Sequence, residues 1–117
     1  MGASGYGPWD NDVGEEYLWD TVLNPLDRAF YKALNPGERD NPRGNLDKAR
    51  SAAAVLVLVV RGRPGLLDTK AGAGVLASAV CALNYALASR DYVDNYREPE
   101  RAREKISEEI AALKGLR

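Results

Sequence analysis

The chain has 117 residues, 16 basic and 17 acidic side chains, a net charge of −1 and 45% hydrophobic residues. That profile is one soluble globular domain with a core of its own, and its balanced charge argues against a nucleic-acid partner. With no histidine and a single cysteine, the chain lacks the usual neutral-pH base, the centre of a Ser-His-Asp triad, an internal disulfide and a thiolate zinc site.

The chain opens MGASGYGPWDND. Its glycines suit a close-fitting strip laid against a helical core, with Trp9 as its plug. Asp12-Val13-Gly14-Glu15 fits a capping box, so a helix is predicted from there to about Leu23, with Leu18, Trp19, Val22 and Leu23 inward. Asp10, Asp12, Glu15, Glu16 and Asp20 crowd this start. A calcium loop counted from Asp10 would place Gly14 fifth, Glu15 sixth and Thr21 twelfth, which fails the pattern. Acids at a helix start are favoured by its dipole and free N–H groups, so neither metal nor other cofactor is expected.

Asn24-Pro25 reads as a cap and first-turn proline that restart a helix, which Asn35-Pro36-Gly37 ends. GERDNPRGN (37–45) is a polar loop whose Asn45 can cap the next helix. There Leu46, Ala49, Ala53, Leu56, Val57 and Val60 form one stripe. The run VLVLVV also suits a buried strand; the alanines before it favour helix. After a turn at Pro64-Gly65, the stretch 71–89 splits into a large face (Leu76, Val80, Leu83, Leu87) and a small one (Gly74, Ser78, Ala82, Ala86). It is expected to be the central helix, with Cys81 a buried, inert thiol. Arg90 to Tyr96 reads as a polar and aromatic link. A last helix runs from Pro99 to Gly115, with Ala102, Ile106, Ile110 and Leu113 buried and Lys105 paired to Glu109.

Gly72-Ala73-Gly74-Val75-Leu76-Ala77 matches a dinucleotide-binding pattern, but no strand leads into it, and close helix packing accounts for the glycines. Arg61, Arg63 and Lys70 suit a solvated helix end more simply than an anion site. No basic start precedes an apolar run, and Tyr6 stands where a myristoylation signal needs Ser or Thr. A cytoplasmic protein with no membrane partner is expected. Trp9, Asp10, Asn11, Asp12, Tyr92 and Tyr96 are the candidate interaction or structural residues; no catalytic residue is assigned.

Met1, Gly2, Gly5, Gly7, Pro8, Trp9, Asn11 and Asp12 form an opening that resembles the DUF4259 domain family, small bacterial proteins of unassigned activity. The resemblance implies a mostly helical fold and supplies no reaction. It also implies an acidic residue in the alanine run where this chain has Val55, so an activity needing that acid would be absent here.

The expected architecture is an all-α single domain over 1–117, a bundle of about five helices with the glycine-rich strip packed on it. Three functional readings stay open. The first is a non-catalytic protein-interaction or regulatory module of the immunity or phage-conflict kind. The second is a small-ligand or divalent-metal binder, or an enzyme, using the N-terminal carboxylates. The third is a structural homo-oligomer, a homo-dimer at its simplest. If Trp9 is a plug, Trp9→Ala costs about 3–5 kcal/mol in urea unfolding. Wild-type melting would instead make the ring a surface contact.

Overall fold

The structure, a computed structural model, describes residues 12–116. Trp9, Asp10 and Asn11, and the side chain of Asp12, lie outside the described residues, as does the expected capping box that depends on it. All regular structure among the described residues is helical: α1 (Asp12–Leu18), α2 (Asn24–Leu34), α3 (Pro42–Gly62), α4 (Lys70–Ala88), α5 (Arg90–Asp94) and α6 (Pro99–Lys114). A π turn (Trp19–Leu23) joins α1 to α2, and a 3-10 turn (Pro64–Asp68) precedes α4. Because α1 and α2 run on as one rod, the expected bundle of about five helices is what forms.

That continuity corrects the expected restart at Asn24-Pro25. Asn24 has helical backbone angles (φ −64°, ψ −45°), and its N–H donates to the Trp19 carbonyl five residues back. Proline lacks an N–H and its ring crowds the carbonyl four residues back. A π turn immediately before Pro25 widens the helix there, so the rod survives without a break. Leu18 and Leu23 at either end of this turn are both buried.

A second correction concerns Asn45. Asn41, not Asn45, caps α3: its side-chain oxygen accepts the N–H groups of Arg43 (3.1 Å) and Gly44 (3.3 Å), with Pro42 in the first turn. The cap-plus-proline pair starts the helix four residues earlier than expected. Asn45 is then buried within α3 and donates to the Lys32 carbonyl (3.4 Å) and Asp40 Oδ2 (3.3 Å), tying α3 to the end of α2. The Gly37 N–H and then the Asn45 amide hold the Asp40 carboxyl below its ordinary range.

VLVLVV is helical throughout, with Leu56 and Val60 inward and Val55 and Leu58 outward. Helix α4 is central, packing on α2, α3 and α6. Its length and composition would suffice to cross a membrane, yet Val75, Leu76, Ala79, Leu83 and Ala86 belong to the bundle core. The small face is split: Ala82 and Ala86 are fully buried, while Gly74 faces open space. Cys81 is exposed, not buried, because it lies seven residues, about two turns, beyond the outward Gly74. The 90–96 link holds helix α5, whose start is capped by the Ser89 hydroxyl accepting the Tyr92 N–H at 3.4 Å. Helix α6 buries Ala102, Ile106, Ile110 and Leu113 as expected.

The two glycines of the dinucleotide-like stretch have unequal roles. A Cβ on Gly72 would lie 2.1 Å from the Leu66 carbonyl oxygen, whereas one on Gly74 would meet nothing within 4 Å. The Gly72 N–H is already taken by the Thr69 hydroxyl at 3.0 Å, the cap of α4. Chemical denaturation should therefore separate the two positions. Gly72→Ala is expected to lose about 3 kcal/mol through forced displacement of backbone, and Gly74→Ala to gain about 0.5–1 kcal/mol from helix propensity.

Candidate functional site

The longest-range polar contacts converge where α3, α5 and α6 meet. One turn of α3 brings Asp47 and Arg50 onto the same side, and Tyr96, two residues past α5, is turned back towards Tyr92 by its N–H donating to the Val93 carbonyl at 3.1 Å. Arg50 grips Glu109 of α6 with two bonds, Nε to Oε1 at 2.7 Å and Nη2 to Oε2 at 2.5 Å. Its remaining nitrogen, Nη1, donates to the hydroxyls of Tyr96 (2.8 Å) and Tyr92 (3.3 Å). The hydroxyls lie 3.0 Å apart, and Tyr92 donates its proton to Asp47 Oδ1 at 2.6 Å. A relay of donors thus runs from the guanidinium through two phenols to a carboxylate. The rings meet edge to face, with centroids 5.6 Å apart and planes at 85°. The Arg50 guanidinium also sits 5.8 Å from the centre of the Tyr96 ring, a cation–π contact.

Electrostatics make this a latch and not an acid–base pair. Burial, and then the bond to Asp47, push the Tyr92 hydroxyl well above the ordinary tyrosine range. The bond to Glu109 pushes Arg50 further above its already high value. Neither group changes charge near neutral pH. Among the described residues, every buried side-chain nitrogen or oxygen has a hydrogen-bond partner.

Two surfaces adjoin the latch. Between the start of α3 and the α4–α5 corner, a cleft of about 560 Å³ is walled by Arg43, Tyr85, Asp91, Tyr92 and Asn95 among others. Along the α3–α6 seam runs an open groove. One end is formed by Arg50, Tyr96, Arg97, Arg101 and Lys105, with Glu98 beside them. The opposite end, about 350 Å³, is formed by Ala53, Ala54, Val57, Leu58 and Ala112, with Arg61 and Glu109 at its rim. An adjoining concavity is lined by Asp47, Arg50, Ser51, Ala54 and Glu109, sharing Arg50 with the first end and Ala54 and Glu109 with the second.

Of the residues singled out from sequence, Tyr92 and Tyr96 are brought together. Tyr92 is only 3% exposed and serves the latch more than the surface, while Tyr96 remains 38% exposed. Trp9, Asp10, Asn11 and the Asp12 side chain lie outside the described residues. Among the described residues, no group of three or more Asp, Glu, His or Cys side chains is placed to hold a metal ion. The expected Lys105–Glu109 pair is replaced: Lys105 meets Glu108 at 3.4 Å, and Glu109 is taken by Arg50. Arg63 of the expected basic turn pairs instead with Glu15 of α1 at 3.1 Å. Asp47, Arg50 and the long-range role of Glu109 escaped the sequence reading, since a charge on a helix carries no local mark of a partner 59 residues away.

The Tyr92 shift has a signed consequence. Its folded form holds the proton more tightly than the unfolded chain, so the stabilisation is whole below about pH 10 and fades as pH rises further. In an absorbance titration, Tyr92 should stay protonated through the ordinary tyrosine range. Tyr92→Phe should flatten the alkaline fall in stability; an unchanged fall would remove Tyr92 as its cause.

Comparison of the chain with family models, with curated proteins and with solved structures found no match.

Proposed function

We propose that this protein is a non-catalytic protein-interaction module of a regulatory kind, and that its contact surface is the α3–α6 groove. The observation that carries the reading is Leu58, 66% exposed at the apolar end of the groove, with Val55, 43% exposed, one turn before it on the outward side of α3. Large apolar side chains held in water beside a groove are the usual mark of a partner's seat. The latch supports the same reading, because it fixes α3 against α6 with groups that are mutually satisfied at neutral pH. The DUF4259 resemblance of the opening is retained as a proposal on its own residues, and it too supplies no reaction.

The test uses the tagged full-length chain in its native host, comparing wild type with Val55→Gln/Leu58→Gln. These exposed positions should shift stability by no more than about 0.5 kcal/mol each. A protein recovered with wild type should fall at least about tenfold with the variant, yet persist with Tyr31→Gln, an equally exposed position on α2. Identical recovery from wild type and the Val55/Leu58 variant would overturn the reading.

A further inference from the structure

The groove has a chemical polarity that its partner must match. At its apolar end Val57, Leu58 and Ala112 lie together. At the opposite end Arg97, Arg101 and Lys105 converge with Arg50, and Glu98 is the one acid on that wall. Arg101 and Lys105 are four residues apart on one face of α6, an arrangement of like charges that weakens a helix. Their partners offset little: Arg101 stands 3.8 Å from Glu98 and Lys105 3.4 Å from Glu108, in pairs exposed to solvent. Arg97 has no ion pair among the described residues. Arg50 is committed to Glu109 and the tyrosines, so the open cations are Arg97, Arg101 and Lys105.

We infer that the groove seats an amphipathic segment of a partner protein, with apolar anchors over Val57 and Leu58 and a cluster of acidic side chains over Arg97, Arg101 and Lys105. This rests on the interaction-module reading and specifies the partner's chemistry. Charge complementarity sets one end and apolar burial the other, so the segment can lie in only one direction. From Arg50 to Arg61 the wall is twelve residues of helix, about 16 Å, so a partner helix of about three turns spans it.

Two fluorescent helix-forming peptides, one with glutamates before a leucine stripe and one with that order reversed, test this by anisotropy against the full-length chain. One direction should bind at least about tenfold more tightly than a scrambled peptide of the same composition. Binding should weaken by a similar factor in Arg97→Glu/Arg101→Glu, in Leu58→Gln, and on raising salt from about 0.05 to 0.5 M. Thermal melting of each variant confirms that it is folded; should the double reversal melt early, Arg97→Gln/Arg101→Gln replaces it. Equal binding of the scrambled peptide, or indifference to the arginine changes, overturns the inference. So does a wild-type dimer in solution that the arginine reversal dissociates, because the occupant is then a second copy. Host capture separates this failure from that of the broader reading. If capture depends on Val55 and Leu58 yet ignores Arg97 and Arg101, only the acidic chemistry falls.

Discussion

Everything else in the fold is arranged around one helix that carries almost no charge. Helix α4 contains no Asp, Glu or Arg and, after Lys70 at its start, no Lys, so it can be approached from several sides without stranding a charge. It uses that freedom to touch α2, α3 and α6 together. Leucines and valines at 75, 76 and 83 fill the wider spaces, and Ala79, Ala82 and Ala86, all at 0% exposure, mark the places of closest approach. At its start even an alanine is too large, because Gly72 lies against the Leu66 carbonyl. Helices α3 and α6 run alongside each other largely because both are docked to α4, and the groove between them is a consequence of that docking.

The latch answers a different need. Apolar packing fixes how near α3 and α6 lie but is tolerant of sliding, since dispersion and burial are not directional. A bidentate guanidinium–carboxylate pair has a definite geometry. Arg50 with Glu109 therefore sets the register of α3 against α6, and the Tyr92–Tyr96 relay extends that register to α5. Its side chains are only partly buried, at 19% and 31% exposure, so the desolvation cost is moderate. The same pair lines the groove proposed as the contact surface, so the interaction that aligns the two helices also shapes that surface.

The helical class, the central position of α4 and the buried stripe of α6 were legible because each depends on periodicity along a single segment. Two boundaries misled for one reason, that asparagine followed by proline is a local signal with two outcomes. At Asn41-Pro42 it starts a helix, and at Asn24-Pro25 it sits inside a rod that a π turn keeps intact. What separates them is the burial of Leu18 and Leu23, which rewards continuity, and burial is a tertiary property. Cys81 was placed inside because its neighbours are apolar; it lies two turns beyond Gly74, which the fold and not the sequence shows to face open space. The latch was not legible at all. Glu109 had an attractive local partner in Lys105, and only the fold shows that Arg50 holds it.

The contrast between α6 and α3 bears on why the groove is apolar at one end. The described residues form a slab 18 Å across its thinnest direction, about two helix layers, so each long helix has an inner and an outer face. On α6 the outer face is charged, with Arg101, Glu104, Lys105 and Glu108 all exposed. On the second half of α3 the corresponding outward positions include Val55 and Leu58. Both helices dock to the same α4, so the architecture does not itself require apolar residues facing water. Exposed apolar groups raise the tendency to associate without strengthening the core they face away from. Packing on α4 does not require apolar side chains at Val55 and Leu58, and this is the ground on which the proposed contact surface rests.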